Sequence, residues 1–224
     1  MTTFVSGNWA IGYAGNGFFY WSDVMLFGME KLLFFGLGAV ILNFAGYVPY
    51  IKAILAGVVK PQRVTWGIWT ILTTIAFVNQ VLNNGGYSAL FFGSTVGLVG
   101  IVFLLSLVRG VGGASRFDIM ILSMSLVLLV FWVIFRESYY STLFAIAIDA
   151  FGAIPTLIKA YKQPQTEVFL QWILSALGGF LSLFAVPQIT FILIVYPLYV
   201  VVMNGLIVVT KYIGSTRGHD KVKA

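Results

Sequence analysis

The chain contains no cysteine and a single histidine, His219. The first absence excludes disulfides, thiolate metal sites and cysteine nucleophiles. The second excludes a multi-histidine metal centre or proton relay, because the lone imidazole stands in a charged C-terminal stretch. Charge is also scarce: 9% of the 224 residues are Asp, Glu, Lys or Arg, against about 25% in a soluble domain. Hydrophobic residues make up 60%, and mean hydropathy is +0.98. Most of this chain cannot face water. No serine–histidine pairing, no paired intramembrane carboxylates and no zinc-ligand spacing occur. The expectation is therefore a non-enzyme with no cofactor and no metal.

What is present is apolar sequence in long, unbroken runs. A membrane β-barrel alternates apolar and polar residues, whereas runs such as Ile119 to Phe135 do not. The fold class expected is all-α integral membrane. About 20 apolar residues carry a helix across the hydrocarbon core. Seven segments qualify, at 31–57, 64–83, 87–108, 117–135, 139–161, 168–186 and 189–211. The short connectors between them force neighbouring helices antiparallel. Residues 1–28 carry a dense aromatic cluster, Phe18-Phe19-Tyr20-Trp21. It reads as a segment lying at the membrane interface, or as a lid over a pore mouth.

Net charge is +6. In a soluble protein this would suggest nucleic acid. Here the basic residues lie between apolar runs, so they report topology, and no nucleic-acid partner is expected. With the N-terminus on one side, that side holds Lys31 and Arg136, and the other 11 of the 13 lysines and arginines fall opposite. By the positive-inside rule the basic side is cytoplasmic, the N-terminus outside and the C-terminus inside. A prokaryotic inner membrane is the expected location, and membrane lipid an obligatory partner.

The two ends of the chain repeat one another. At a shift of 106 residues Asn43 meets Asp149, Gly46 meets Gly152, Pro49 meets Pro155 and Trp66 meets Trp172, without a gap. Only six prolines and six tryptophans are available, so a Pro pair and a Trp pair at one shift are hard to obtain by chance. Three helices end on the side opposite their start, so a fourth restores direction. The organisation expected is an N-terminal segment 1–28, a three-helix repeat 29–109, a linker helix 110–137, a parallel three-helix repeat 138–212 and a basic cytoplasmic tail 213–224. Transporters built from repeats bind solute near the midplane between them.

This three-one-three plan, with a proline in the first helix of each half, resembles the PQ-loop superfamily, and the SWEET-like sugar transporters are closest in plan. The resemblance covers about residues 31–211. It implies that Pro49 and Pro155-Thr156 are the bending prolines, each followed by a basic stretch. The literal Pro-Gln pairs, Pro61-Gln62, Pro164-Gln165 and Pro187-Gln188, lie in loops and are not that motif. Such transporters share a mid-membrane Trp and a pocket Asn. In this chain Trp66 and Trp172 fall near the cytoplasmic face, and Asn204 far along the seventh helix. Vitamin-precursor transporters of the nicotinamide riboside type share the plan, and Arg63-Val-Thr-Trp66-Gly-Ile-Trp69 is loosely similar to their Trp-bearing helices. The function implied is movement of a small polar solute, sugar-like or another metabolite, by alternating access. A vitamin-precursor transporter, or a non-transporting receptor or sorting protein on the same plan, are the alternatives.

Asp149 is the residue most in need of explanation. A mid-membrane Asp costs roughly 2.5–3.5 kcal/mol on insertion scales, so it faces protein or water. It shares a helical face with Gly152, Ala153 and Thr156, and the equivalent face of the first helix carries Asn43, Gly46, Tyr47 and Tyr50. Asp149, Asn43, Thr156, Tyr50 and Gln80 are the candidate solute- or ion-binding residues. Some members of the resembling superfamily couple transport to protons through a fifth-helix carboxylate, which the resemblance extends to Asp149. The structural reading makes Asp149 a partner of Asn43 or Gln80 across helices. Pro49 and Pro155 are hinges or static kinks. Arg63, Glu167, Trp66 and Trp172 are gate candidates, the tryptophans reading alternatively as interfacial anchors. Lys52 and Lys159 read as snorkelling to headgroups.

Overall fold

The computed structural model describes residues 12–14, 17–19, 21–113, 115–134 and 138–222. A short antiparallel hairpin, β1 (Gly12–Ala14) and β2 (Gly17–Phe19), precedes seven helices. These are α1 (Trp21–Leu55), α2 (Arg63–Leu82), α3 (Ser88–Arg109), α4 (Arg116–Ile134), α5 (Ser138–Lys162), α6 (Phe169–Leu183) and α7 (Phe191–Val222). Among the described residues five spans are long and apolar enough to cross a bilayer: Gly28–Leu55, Arg63–Leu82, Ser88–Arg109, Thr142–Lys162 and Phe191–Arg217. Apart from that hairpin the fold is all-α, and the protein is membrane-embedded.

Three boundaries differ from expectation. First, α1 begins at Trp21, so the end of the expected interfacial segment 1–28 is helix. Second, α6 has 15 residues where 168–186 was expected. It rises only about 22 Å, short of a core about 30 Å thick. Pro187 bars Val186 from the α region, so the helix cannot run on to the expected end at 186. Third, α7 continues to Val222 through most of the expected tail 213–224. No proline follows Pro197, so nothing after Lys211 halts a polar helix emerging from the apolar layer.

Not every sequence neighbour is a packing partner. In the first repeat α3 packs on both α1 and α2, while α1 and α2 make no substantial contact. In the second repeat α7 packs in the same way on α5 and α6. Between repeats α1 meets α6 and α5 meets α2. Exchanging α1 with α5, α2 with α6 and α3 with α7 returns the same scheme. α4 stands outside it, packed on α5 and touching α2 only lightly.

The two inter-repeat crossings are built alike. A side chain at Gly46 would meet Gln171 Oε1 at 3.0 Å and Leu174 Cβ at 3.2 Å. One at Gly152 would meet Ile68 Cγ2 at 3.0 Å, and Thr65 Oγ1 donates to the Gly152 carbonyl at 2.8 Å. The shift that pairs Gly46 with Gly152 also pairs Thr65 with Gln171 and Ile68 with Leu174. Between apolar helices in lipid, close approach supplies the dispersion contacts that burial from water supplies elsewhere, and small residues permit it.

Candidate solute site

The six repeat helices surround a central cavity of about 60 Å³. Its walls carry Asn43 and Tyr47 from α1, Trp69 and Thr73 from α2, Phe91, Phe92 and Thr95 from α3, and Asp149 from α5. Trp172 and Ser175 come from α6, and Tyr196, Tyr199, Met203 and Asn204 from α7. That volume holds a few waters and lies below the roughly 300 Å³ at which ligand pockets begin. A larger solute enters only if the helices part.

Asn43 and Asp149 occupy equivalent places and are held in equivalent ways. Asn43 Nδ2 donates to Ser94 Oγ at 3.0 Å and to Thr95 Oγ1 at 2.8 Å, both on the third helix of its own repeat. Asp149 Oδ2 accepts from the Tyr196 hydroxyl at 2.8 Å, again within its own repeat. This corrects the expectation that Asp149 pairs with Asn43 or Gln80. The helix order explains it: the third helix of each repeat lies against the first, so the nearest polar partner is internal. Asp149 is 6% exposed, and the cavity lining contains no lysine or arginine. Asn43 Oδ1 is buried without a partner, while Trp69 Nε1 and Tyr199 OH are turned toward the Asp149 carboxyl without closing an ordinary hydrogen bond, so the lining offers an acceptor, a donor and a hydroxyl that can be either. A solute or water would meet them.

At the basic end the cavity is closed by an aromatic layer. Trp66 stacks obliquely on Tyr50 at 5.5 Å and on Trp172 at 6.2 Å, and meets Trp69 edge-on at 5.2 Å. Trp66 is 1% and Trp172 2% exposed, which corrects the expectation of interfacial anchors. They open their helices in sequence, but the inter-repeat crossings bring both first turns to the bundle axis. Beneath them Glu167 Oε1 pairs with Lys159 Nζ at 2.7 Å. Glu167 Oε2 accepts from Trp172 Nε1 at 3.2 Å and from Tyr50 OH at 3.4 Å. Lys159 Nζ also donates to the Lys60 carbonyl. Lys159 therefore faces this cluster instead of snorkelling, and residues of both repeats meet on one carboxylate.

Arg63 is not part of that layer. Its Nε donates to the Ser106 carbonyl and its Nη1 to the Gly112 carbonyl, both at 3.0 Å, tying α2 to the end of α3 and the following loop. The reason is register. Arg63 lies three residues before Trp66 but Glu167 lies five before Trp172, so the repeat aligns Glu167 with Pro61.

At the opposite end Gln80 of the first repeat reaches α7. Pro197 has no N–H to give the carbonyl four residues earlier, that of Leu193. Gln80 Nε2 donates to that carbonyl at 3.2 Å. Gln80 is buried and ties the two repeats together. A smaller cavity of about 10 Å³, bounded by Asn79, Gln80, Thr142 and Tyr196 among others, continues from Tyr196 on this side.

Of the expected binding residues, the structure brings Asn43 and Asp149 to the cavity. Tyr50 stands in the closing layer and Gln80 in the opposite one. Thr156 is fully buried past Pro155, away from the lining, with its hydroxyl unpartnered. Tyr196, Tyr199, Met203 and Ile207 lie outside the expected set; their 3–4 spacing, with Asn204 beside Met203, puts them on one face of α7, a stripe visible in the sequence. Compared with known protein families, curated proteins and solved structures, the chain has no match.

Proposed function

We propose that this chain is a membrane transporter that moves a small polar solute by alternating access between two three-helix repeats, with proton coupling through Asp149. One observation carries the reading. A polar cavity at the meeting of the repeats holds a buried carboxyl, and each end is closed by contacts that span the repeats, Glu167–Lys159–Tyr50 at one and Gln80–Leu193 at the other. Rocking one repeat against the other breaks one set while keeping the other.

The PQ-loop, SWEET-like plan supplies the remaining roles. Pro49 and Pro155 act as the hinges on α1 and α5, each freeing one backbone carbonyl in a helix that crosses the other repeat. Glu167, Trp66 and Trp172 form the gate. The basic end faces the cytoplasm of a prokaryotic cell, and the N-terminus lies outside. Asp149 has no cationic side chain in its cavity, so the charge it carries must be balanced by a proton or by the solute.

The lining favours a second reading over a sugar. Trp69, Trp172, Tyr47, Tyr196 and Tyr199 surround the carboxyl with aromatic faces. Such a box suits a planar ring bearing positive charge, as a vitamin precursor of the nicotinamide riboside type would be. Uptake into liposomes, with hexoses and nicotinamide riboside compared in the presence and absence of a pH gradient, separates the two. The Asp149→Asn chain is expected to fold and to lose uptake by about 100-fold, the scale of a lost charged contact. Unchanged uptake at every pH contradicts the role of Asp149. Solute bound with no passage into the vesicles under either condition makes the protein a receptor.

A further inference from the structure

A second void, almost wholly apolar, lies away from the solute path. α4 packs on α5 but stands off α2, leaving a crevice of about 360 Å³ walled by α2, α3, α4 and α5. Its lining is Val64, Gly67, Ile68, Ile71, Leu72, Phe103, Leu122, Leu126 and Ile148, with only Arg63, Thr70 and Ser125 polar. Thr70 spends its hydroxyl on the Trp66 carbonyl and so leaves only its methyl for the crevice. Ile71, Leu122 and Leu126 are exposed, so the crevice opens sideways toward the hydrocarbon. Along α2 it runs from Arg63 to Leu72, about 13 Å.

Charge is fixed at one end of this apolar slot. The Arg63 guanidinium is held at the mouth by the Ser106 and Gly112 carbonyls. Those bonds use two of its five donors, and among the described residues no carboxylate forms an ion pair with it. Arg116 begins α4 on the same side and is exposed. A positioned guanidinium with spare donors matches a phosphate, and the slot behind it matches an alkyl chain. We propose that the crevice between α2 and α4 binds one anionic phospholipid, its phosphate on Arg63 and one acyl chain between Gly67, Ile71, Leu122 and Leu126. The floor of the crevice includes Ile68, the residue that packs on Gly152, so the bound chain buttresses the α2–α5 crossing between the repeats. This site does not depend on the transport reading.

Native mass spectrometry of the detergent-purified chain, titrated with equal amounts of phosphatidylglycerol and phosphatidylcholine, tests it. One retained phosphatidylglycerol is expected, preferred about fivefold over phosphatidylcholine, the scale of one basic contact. Ile71→Trp fills the slot without touching the Arg63 contacts and should abolish the retained lipid. Arg63→Gln should bring the two lipids to parity, with helicity measured alongside. If that variant fails to fold, Arg116→Gln, expected to lower the preference, replaces it. Equal retention of both lipids by the unaltered chain, or a phosphatidylglycerol adduct that survives Ile71→Trp, overturns the proposal.

Discussion

The two three-helix repeats share a packing scheme and differ in chemistry. Both place their third helix between the first two, both cross the partner repeat at a glycine, and both bond the polar residue ahead of the proline to their own third helix. Yet the first repeat offers a neutral amide, Asn43, where the second offers a carboxyl, Asp149. The first places Pro61 where the second places Glu167, the hub of the closing layer. Backbone architecture is duplicated, while the groups able to carry charge into the bundle are concentrated in one copy. On the proposed reading, symmetric packing lets the two repeats exchange positions in a rocking motion, and asymmetric chemistry gives that motion a single binding carboxyl.

The closing layer offers the largest contrast. Glu167→Gln removes the anion that Lys159, Trp172 and Tyr50 share, and is expected to cost about 3 kcal/mol, the lower bound for breaking a buried ion pair. Arg63→Gln, at the first repeat's helix start, removes only bonds to carbonyls and should cost about 1 kcal/mol. Thermal unfolding in detergent measures both, and equal losses would return Arg63 to the gate. The glycine crossings come next. Gly46→Leu and Gly152→Leu each overfill a tight contact, and about 2 kcal/mol is expected for each. A loss at one glycine alone would break the equivalence of the crossings. The smallest effect belongs to Tyr196→Phe, which removes one bond to Asp149. Hydrogen bonds between membrane helices average about 0.6 kcal/mol, so its stability should barely move while uptake changes its pH profile. An unaltered profile would detach Tyr196 from the solute site.

Much of this was legible in the chain because lipid simplifies the problem. Long apolar runs in a hydrocarbon phase must be helices, since no water satisfies the backbone there. The repeat was legible through residues that chance seldom aligns, Pro49 with Pro155 and Trp66 with Trp172. Asp149 stood out because charge inside a membrane is costly. Distance across helices was not legible. Trp66 and Trp172 look interfacial by their place along the chain, and only the crossing of α1 over α6 and α5 over α2 shows them at the axis. The role of Gln80 depends on Pro197, a proline in a helix that carries no member of the repeated set. Arg63 and Glu167 look equivalent by position, but a two-residue offset sends them to different faces.

Alternating access of the cavity is the central claim, and the absence of native cysteine permits a direct test. Ser175 lines the cavity on α6 and is 6% exposed. In oriented vesicles a Ser175→Cys chain would be treated with a membrane-impermeant thiol reagent, applied from one side and then from the other. Labelling from both sides, slowed on each by solute, is the predicted result. Labelling from neither side, or from one side alone under every condition, would contradict the account.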